Sequence, residues 1–120
     1  MKPIKYVLQD IKDFPNDIIR KIRRGYQRAY RGWADEDTWD FDWYLAKVIR
    51  GGIIHLQKNS ESCPGHLSQA EWNKILNEII FTFDTSEKAF DRWHEMTSDE
   101  KIRYYQGWEN LKDYFHSLWD

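Results

Sequence analysis

Residues 33–58 read WADEDTWDFDWYLAKVIRGGIIHLQK, the longest apolar-rich run in the chain. Within it Phe41, Tyr44, Leu45, Val48, Ile49, Gly52, Ile53 and Leu56 recur at steps of three and four, the period of one helical face. The spacing predicts a central helix over about 36–58, with the other elements packed around it. Trp39, Trp43, Leu45, Val48, Trp72, Ile75, Leu76, Ile79, Trp108 and Leu111 are then expected in or beside the core. Five acids, Asp35, Glu36, Asp37, Asp40 and Asp42, stand where the unpaired N–H groups and positive dipole end of that helix belong. Asp35 or Asp37 is the expected cap. As a cation loop the same acids lack the sixth-position Gly and distant Glu of an EF-hand. Gly51-Gly52 inside the run costs roughly 1 kcal/mol per glycine against Ala. It predicts either a kink or another backbone close by.

On the N-terminal side, Ile4, Val7, Leu8 and Ile11 sit at helical spacing in residues 1–14, a short helix or loosely packed arm that Pro15 ends. Residues 17–31 form a second helix, with Asn16 as cap and Gly32 as stop. It is two-faced, with Ile18, Ile19, Ile22, Tyr26, Ala29 and Tyr30 on one side and Arg20, Lys21, Arg24, Arg28 and Arg31 on the other. On the C-terminal side, SESCPGHL is a loop with a Pro64-Gly65 turn. Ser68 and Glu71 then make a capping box for a helix with the stripe Trp72, Ile75, Leu76, Ile79, Ile80 and Phe83. Ser86 caps a short helix with Ala89, Phe90 and Trp93 inward. Thr97 and Glu100 make a second capping box for a last helix over about 98–118, with Ile102, Tyr105, Trp108, Leu111, Phe115 and Leu118 aligned. The expectation is one all-α domain of four to five helices over residues 1–120.

A chain of 120 residues buries a core without staples, and its 41% hydrophobic and 32% charged residues are those of a globular protein. Seven tryptophans and 17% aromatic residues supply either core volume or contact surface. No apolar run is long enough for a membrane span and no signal-peptide pattern opens the chain, so a cytoplasmic protein is expected. A single cysteine, Cys63, suits a reducing compartment. Net charge is −2, but residues 15–32 carry six cations against Asp17 alone, and residues 67–120 carry eleven acids against six bases.

Chemistry is sparse. Cys63 and His66 stand three apart, but a structural zinc site needs two further ligands, and His55, His94 and His116 stand alone. Read as nucleophile and base, the pair lacks any family context. No phosphate loop, dinucleotide loop, zincin or hydrolase motif is present, so no enzyme, cofactor or metal is expected. The expected partner-binding residues are Arg20, Lys21, Arg24, Arg28 and Arg31, since guanidinium forks fit carboxylates and phosphates. The other reading of that face is a solvated one whose arginines pair with the acids that follow.

The segments Arg31 to Asp35 (RGWAD), Trp39 to Leu45 (WDFDWYL), Pro64 and Glu71-Trp72 follow an R-G-aromatic-[SA]-D, W-x-x-D-x-[YW]-[LI], Pro, E-W order. Over about residues 31–84 this resembles a set of small phage-encoded proteins without an assigned activity. Where His-Gly-Tyr-Pro is common in that set, this chain has Glu-Ser-Cys-Pro. The resemblance implies a phage protein in the cytoplasm of a host cell, and by analogy one that acts stoichiometrically. The first expectation is an inhibitor or adaptor, including a counter-defence protein, bound to a host protein with an acidic surface. The alternatives are a binder of a nucleotide or other phosphate ligand, and a virion or assembly component.

Overall fold

Two Ser/Thr-x-x-Glu boxes start the helices that carry most of the packing. In the computed structural model, which describes residues 16–119, the Ser68 hydroxyl accepts from the Glu71 N–H at 3.1 Å while the Glu71 carboxylate accepts from the Ser68 N–H at 3.0 Å. Thr97 and Glu100 repeat the exchange at 3.1 and 3.0 Å. Each box satisfies donors that the first helical turn leaves unpaired. Among the described residues the α-helices are α1 (Asn16–Arg31), α2 (Phe41–Asn59), α3 (Gln69–Asp84), α4 (Ser86–Asp91) and α5 (Ser98–Tyr114). Short 3-10 turns lie at Asp35–Thr38, Trp93–Glu95 and Phe115–Ser117. Among the described residues there is no strand, so the expected all-α class is the class of the fold. The expected arm or helix over 1–14, and the break at Pro15, lie outside the described residues.

The chain divides into two compact units, Met1–Phe41 and Asp42–Asp120. In the first, α1 is strongly two-faced and has no fully buried residue. Gly32 ends it as expected: with φ 95° it adopts the left-handed conformation that only glycine takes without strain, and its N–H reaches the Arg28 carbonyl at 2.9 Å. The chain then reverses through a buried Ala34 into the Asp35–Thr38 turn.

In the second unit the core is Ile53, Trp72, Leu76, Ile79 and Phe83, with Ala46, Ile49, Leu67, Ile75, Ile80, Leu111, Tyr114 and Leu118 packed around it. Four of those five buried residues belong to α3, whose most intimate neighbour is α5. Gly107 of α5 lies directly against Thr82 and the Glu78 carbonyl of α3. Thr82 is fully buried, and its hydroxyl donates to the Tyr104 carbonyl at 2.8 Å. Asn110, also buried, accepts from Gln106 at 2.8 Å and donates to the Ile75 carbonyl at 3.4 Å. Satisfying these polar groups is what makes their burial tolerable. The flank of α2 is tied to α3 by Gln57, which donates to Asn77 at 2.8 Å, and by an Arg50–Asp84 ion pair.

Several local expectations are corrected. The run expected to form one helix over 36–58 is a 3-10 turn followed by α2 from Phe41, because the acids at 35–37 are engaged by arginines of α1 instead of capping α2. Only Ile53 of α2 is buried, against five residues of α3, so the weight of the core sits on α3. Trp39, Trp43, Leu45, Val48 and Trp108, expected in or beside the core, are exposed, and so is Phe90. The apolar arc of α2 is wider than the strip that α3 covers: Ala46, Ile49 and Ile53 face the core, and Leu45 and Val48 lie beyond it. Gly51 and Gly52 mark no close backbone contact among the described residues. The helix runs through them, and a Cβ at either position meets nothing within 4 Å.

Candidate functional site

Among the described residues each unit presents a surface with the character of a binding site. On the first, the arginines of α1 project along one helical face, and the acidic turn after Gly32 lies back across them. Arg28 grips Asp37 with both arms of its guanidinium, Nε on one oxygen at 2.9 Å and an Nη on the other at 2.6 Å. Arg31 pairs with Asp35 and donates from Nε to the Trp33 carbonyl at 2.9 Å. Arg23 pairs with Glu36, and Arg24 stands 3.6 Å from the other oxygen of the same carboxylate. Gln27 completes the clasp, its amide donating to the Asp35 carboxylate at 2.8 Å and accepting from the Asp35 N–H at 2.9 Å.

The structure thus brings together Arg24, Arg28 and Arg31 of the five expected binding residues, each with a carboxylate of the 35–37 segment. Arg20 and Lys21, one turn back, form no ion pair among the described residues. Arg23 and Gln27, outside the expected set, belong to the clasp. Their signal in the sequence is position alone, since residues 23, 24, 27, 28 and 31 lie at steps of three and four.

The clasp sets the ionisation of its acids. The Arg28 hydrogen bond, with help from the Ala34 N–H at 2.8 Å, holds Asp37 at a pKa of about 2. Arg31 and then Gln27 lower Asp35, and its own main-chain N–H followed by Arg23 lowers Glu36. A carboxylate held below its ordinary 3.8 contributes stability that is complete above that value and is lost as the pH falls through the folded value. A carboxyl-carbon NMR titration of Asp37 is expected to show a midpoint near 2, with Arg28→Gln returning it toward 3.8. A midpoint of 3.8 in the unaltered protein would show that the fork is absent in solution.

On the second unit, an apolar cleft of about 540 Å³ opens between the start of α2, α4 and α5. Leu45, Ala46, Ile49 and Phe83 line its apolar wall, and Trp43, Phe90 and Trp108 stand at it with 51%, 79% and 44% of their surfaces exposed. The Phe83 and Trp108 rings pack edge to face with their centres 5.1 Å apart, which fixes one wall. Ile49 also lines an adjoining groove of about 290 Å³ with Val48, Gly52, Leu111 and Phe115, so the apolar surface continues down the α2 helix. Polar groups at the main cleft are few, with Asp42, Ser86 and Tyr104 among them. The aromatic excess was the signal of this surface in the sequence, but no spacing told the exposed rings from the buried ones.

Cys63 and His66 do not converge on a reactive geometry. The thiol donates to the Leu67 carbonyl at 3.4 Å and the imidazole stacks on Tyr114 with ring centres 6.4 Å apart. Among the described residues no three His, Cys, Asp or Glu side chains are grouped so as to hold a metal ion, and no helix is long and apolar enough to cross a membrane. No family model, curated protein or solved structure matches the chain.

Proposed function

We propose that this protein is a non-enzymatic, stoichiometric binder of another protein, and that it engages its partner through the aromatic cleft of the second unit. The observation that carries the reading is the cleft itself, where Trp43, Phe90 and Trp108 leave large apolar areas in water around an apolar floor. Exposed apolar patches of this kind are costly to a monomer and mark contact sites, and Trp is foremost among residues that dominate binding energy. Convergent polar or titratable groups of the sort a reaction needs are sparse at the cleft. The phage resemblance supports a host-cell protein in the cytoplasm as the partner, with inhibition, adaptation or counter-defence as the consequence of capture. A nucleotide-binding or virion role has no comparable surface in its favour, since Arg24, Arg28 and Arg31 of the basic face already hold carboxylates.

The test is affinity capture from host-cell extract with the intact chain and with a Trp43→Ala, Phe90→Ala variant. Both side chains are exposed, so the variant is expected to fold with a stability change of no more than about 1 kcal/mol. Loss of two aromatic anchors should cost binding at least about 2 kcal/mol, roughly thirtyfold in affinity. The partner should be retained by the intact chain at high salt and lost by the variant. Equal retention by both chains, or recovery of a nucleotide in place of a protein, rejects the proposal.

A further inference from the structure

In the clasp of the first unit a short acidic segment is held along the basic face of a helix. Its three acids sit on adjacent residues, and each engages an arginine at a different level of α1: Asp35 at Arg31, Glu36 at Arg23 and Arg24, Asp37 at Arg28. The engagement also reads the peptide backbone. The Gln27 amide accepts from the Asp35 N–H at 2.9 Å, and Arg31 Nε donates to the Trp33 carbonyl at 2.9 Å. A phosphate chain offers neither an amide donor nor a carbonyl at those places, so the recognition is that of an acidic peptide. The occupant is tethered through Gly32, whose φ of 95° turns the chain back onto the helix. Tethering gives it a high effective concentration without requiring a tight intrinsic fit.

We infer that the Gln27–arginine face of α1 is an acidic-peptide site whose resident occupant is the chain's own segment 33–37, and that an acidic segment of a partner protein takes the same seat by displacing it. The weakest place in the resident fit is at Arg24. Its Nε and the Glu36 oxygen facing it are both shielded from solvent yet 3.6 Å apart, with no hydrogen bond to either. A free segment that closes this gap competes at that point. Arg20 and Lys21, with no ion pair among the described residues, extend the same helix beyond the resident segment and offer a longer acidic partner further contacts. This inference is independent of the aromatic cleft, which lies in the other unit.

The probe is a fluorescein-labelled peptide of residues 33–39, WADEDTW, followed by anisotropy on the full chain. Neutralising the resident acids (Asp35→Asn, Glu36→Gln, Asp37→Asn) empties the site, and the apparent affinity for the labelled peptide is expected to rise about tenfold or more over the unaltered chain. Added salt should weaken the new complex, and the same peptide with its carboxylates converted to amides should not bind. The Trp43→Ala, Phe90→Ala variant should bind the probe as the unaltered chain does, which separates this result from the fate of the cleft. Where the triple variant loses helical signal at 222 nm, the single Asp37→Asn variant decides, with a smaller gain expected. Equal probe affinity before and after neutralisation, equal binding of the uncharged peptide, or stronger competition by an oligonucleotide of matched charge than by unlabelled peptide overturns the inference.

Discussion

Gly107→Ala is expected to destabilise the second unit severely, while the same substitution at Gly52 is expected to stabilise it. At position 107 an added Cβ falls 2.7 Å from the Thr82 Cβ and closer still to the Thr82 hydroxyl and the Glu78 carbonyl. Two of those atoms belong to a fully buried side chain and the third to backbone, so none can swing aside. The α3 and α5 helices must part, and the Thr82 to Tyr104 hydrogen bond at 2.8 Å parts with them. Overpacking of this kind costs about 3 kcal/mol or more. The better helix propensity of Ala returns only about 1 kcal/mol. At Gly52 the new Cβ meets no other part of the described structure within 4 Å, so the propensity gain of about 1 kcal/mol stands alone. Urea denaturation followed by far-UV circular dichroism measures both. Truncating Thr82 to Ala in the Gly107→Ala background should restore only part of the loss, because the Glu78 carbonyl remains. An unchanged midpoint for Gly107→Ala would mean that the two helices are not in contact there.

The second large effect separates two leucines that look alike in the sequence. Leu76 is 1% exposed at the centre of the core, between Trp72 and Ile79 on the α3 stripe. Leu76→Ala leaves a cavity that rigid neighbours cannot fill and should cost roughly 2–5 kcal/mol. Leu45 is 41% exposed at the wall of the aromatic cleft, so Leu45→Ala should cost about 1 kcal/mol or less. The same unfolding curves report both, and a reversal of the order would place the core on α2. If the cleft is the partner surface, Leu45→Ala weakens capture although it leaves folding nearly intact, and Leu76→Ala affects capture only in proportion to the fraction unfolded.

Helix class and helix ends were legible in the chain because they depend on neighbours in sequence. The periodic stripe of α3, the Ser68–Glu71 and Thr97–Glu100 boxes and the Gly32 stop all act over a few residues, and each stands where its spacing placed it. The stripe expected on α5 does not: Ile102, Tyr105, Trp108 and Phe115 are exposed, and the helix buries Gly107 and Asn110. The pairing of the α1 arginines with Asp35, Glu36 and Asp37 was legible as one of two readings, since a glycine turn separates opposite charges by only a few residues. Contacts between distant segments were not. Periodicity says that Leu45, Val48 and Ile53 share an apolar face, but it does not say how wide a strip the neighbouring helix covers, and only Ile53 is buried. Glycine cost says that Gly51, Gly52 and Gly107 need a reason. Among the described residues close approach supplies one at Gly107 alone, through α3 residues 25 and 29 positions away in the chain. The sequence by itself determined which of the described segments are helices and, where a capping box or a stop glycine is present, the ends so marked, because hydrogen bonding and capping are local. The start of α2 at Phe41 and the end of α5 at Tyr114 were not among them. Only the tertiary structure decided which apolar residues became core and which became the aromatic cleft, because burial depends on what another segment brings to the same place.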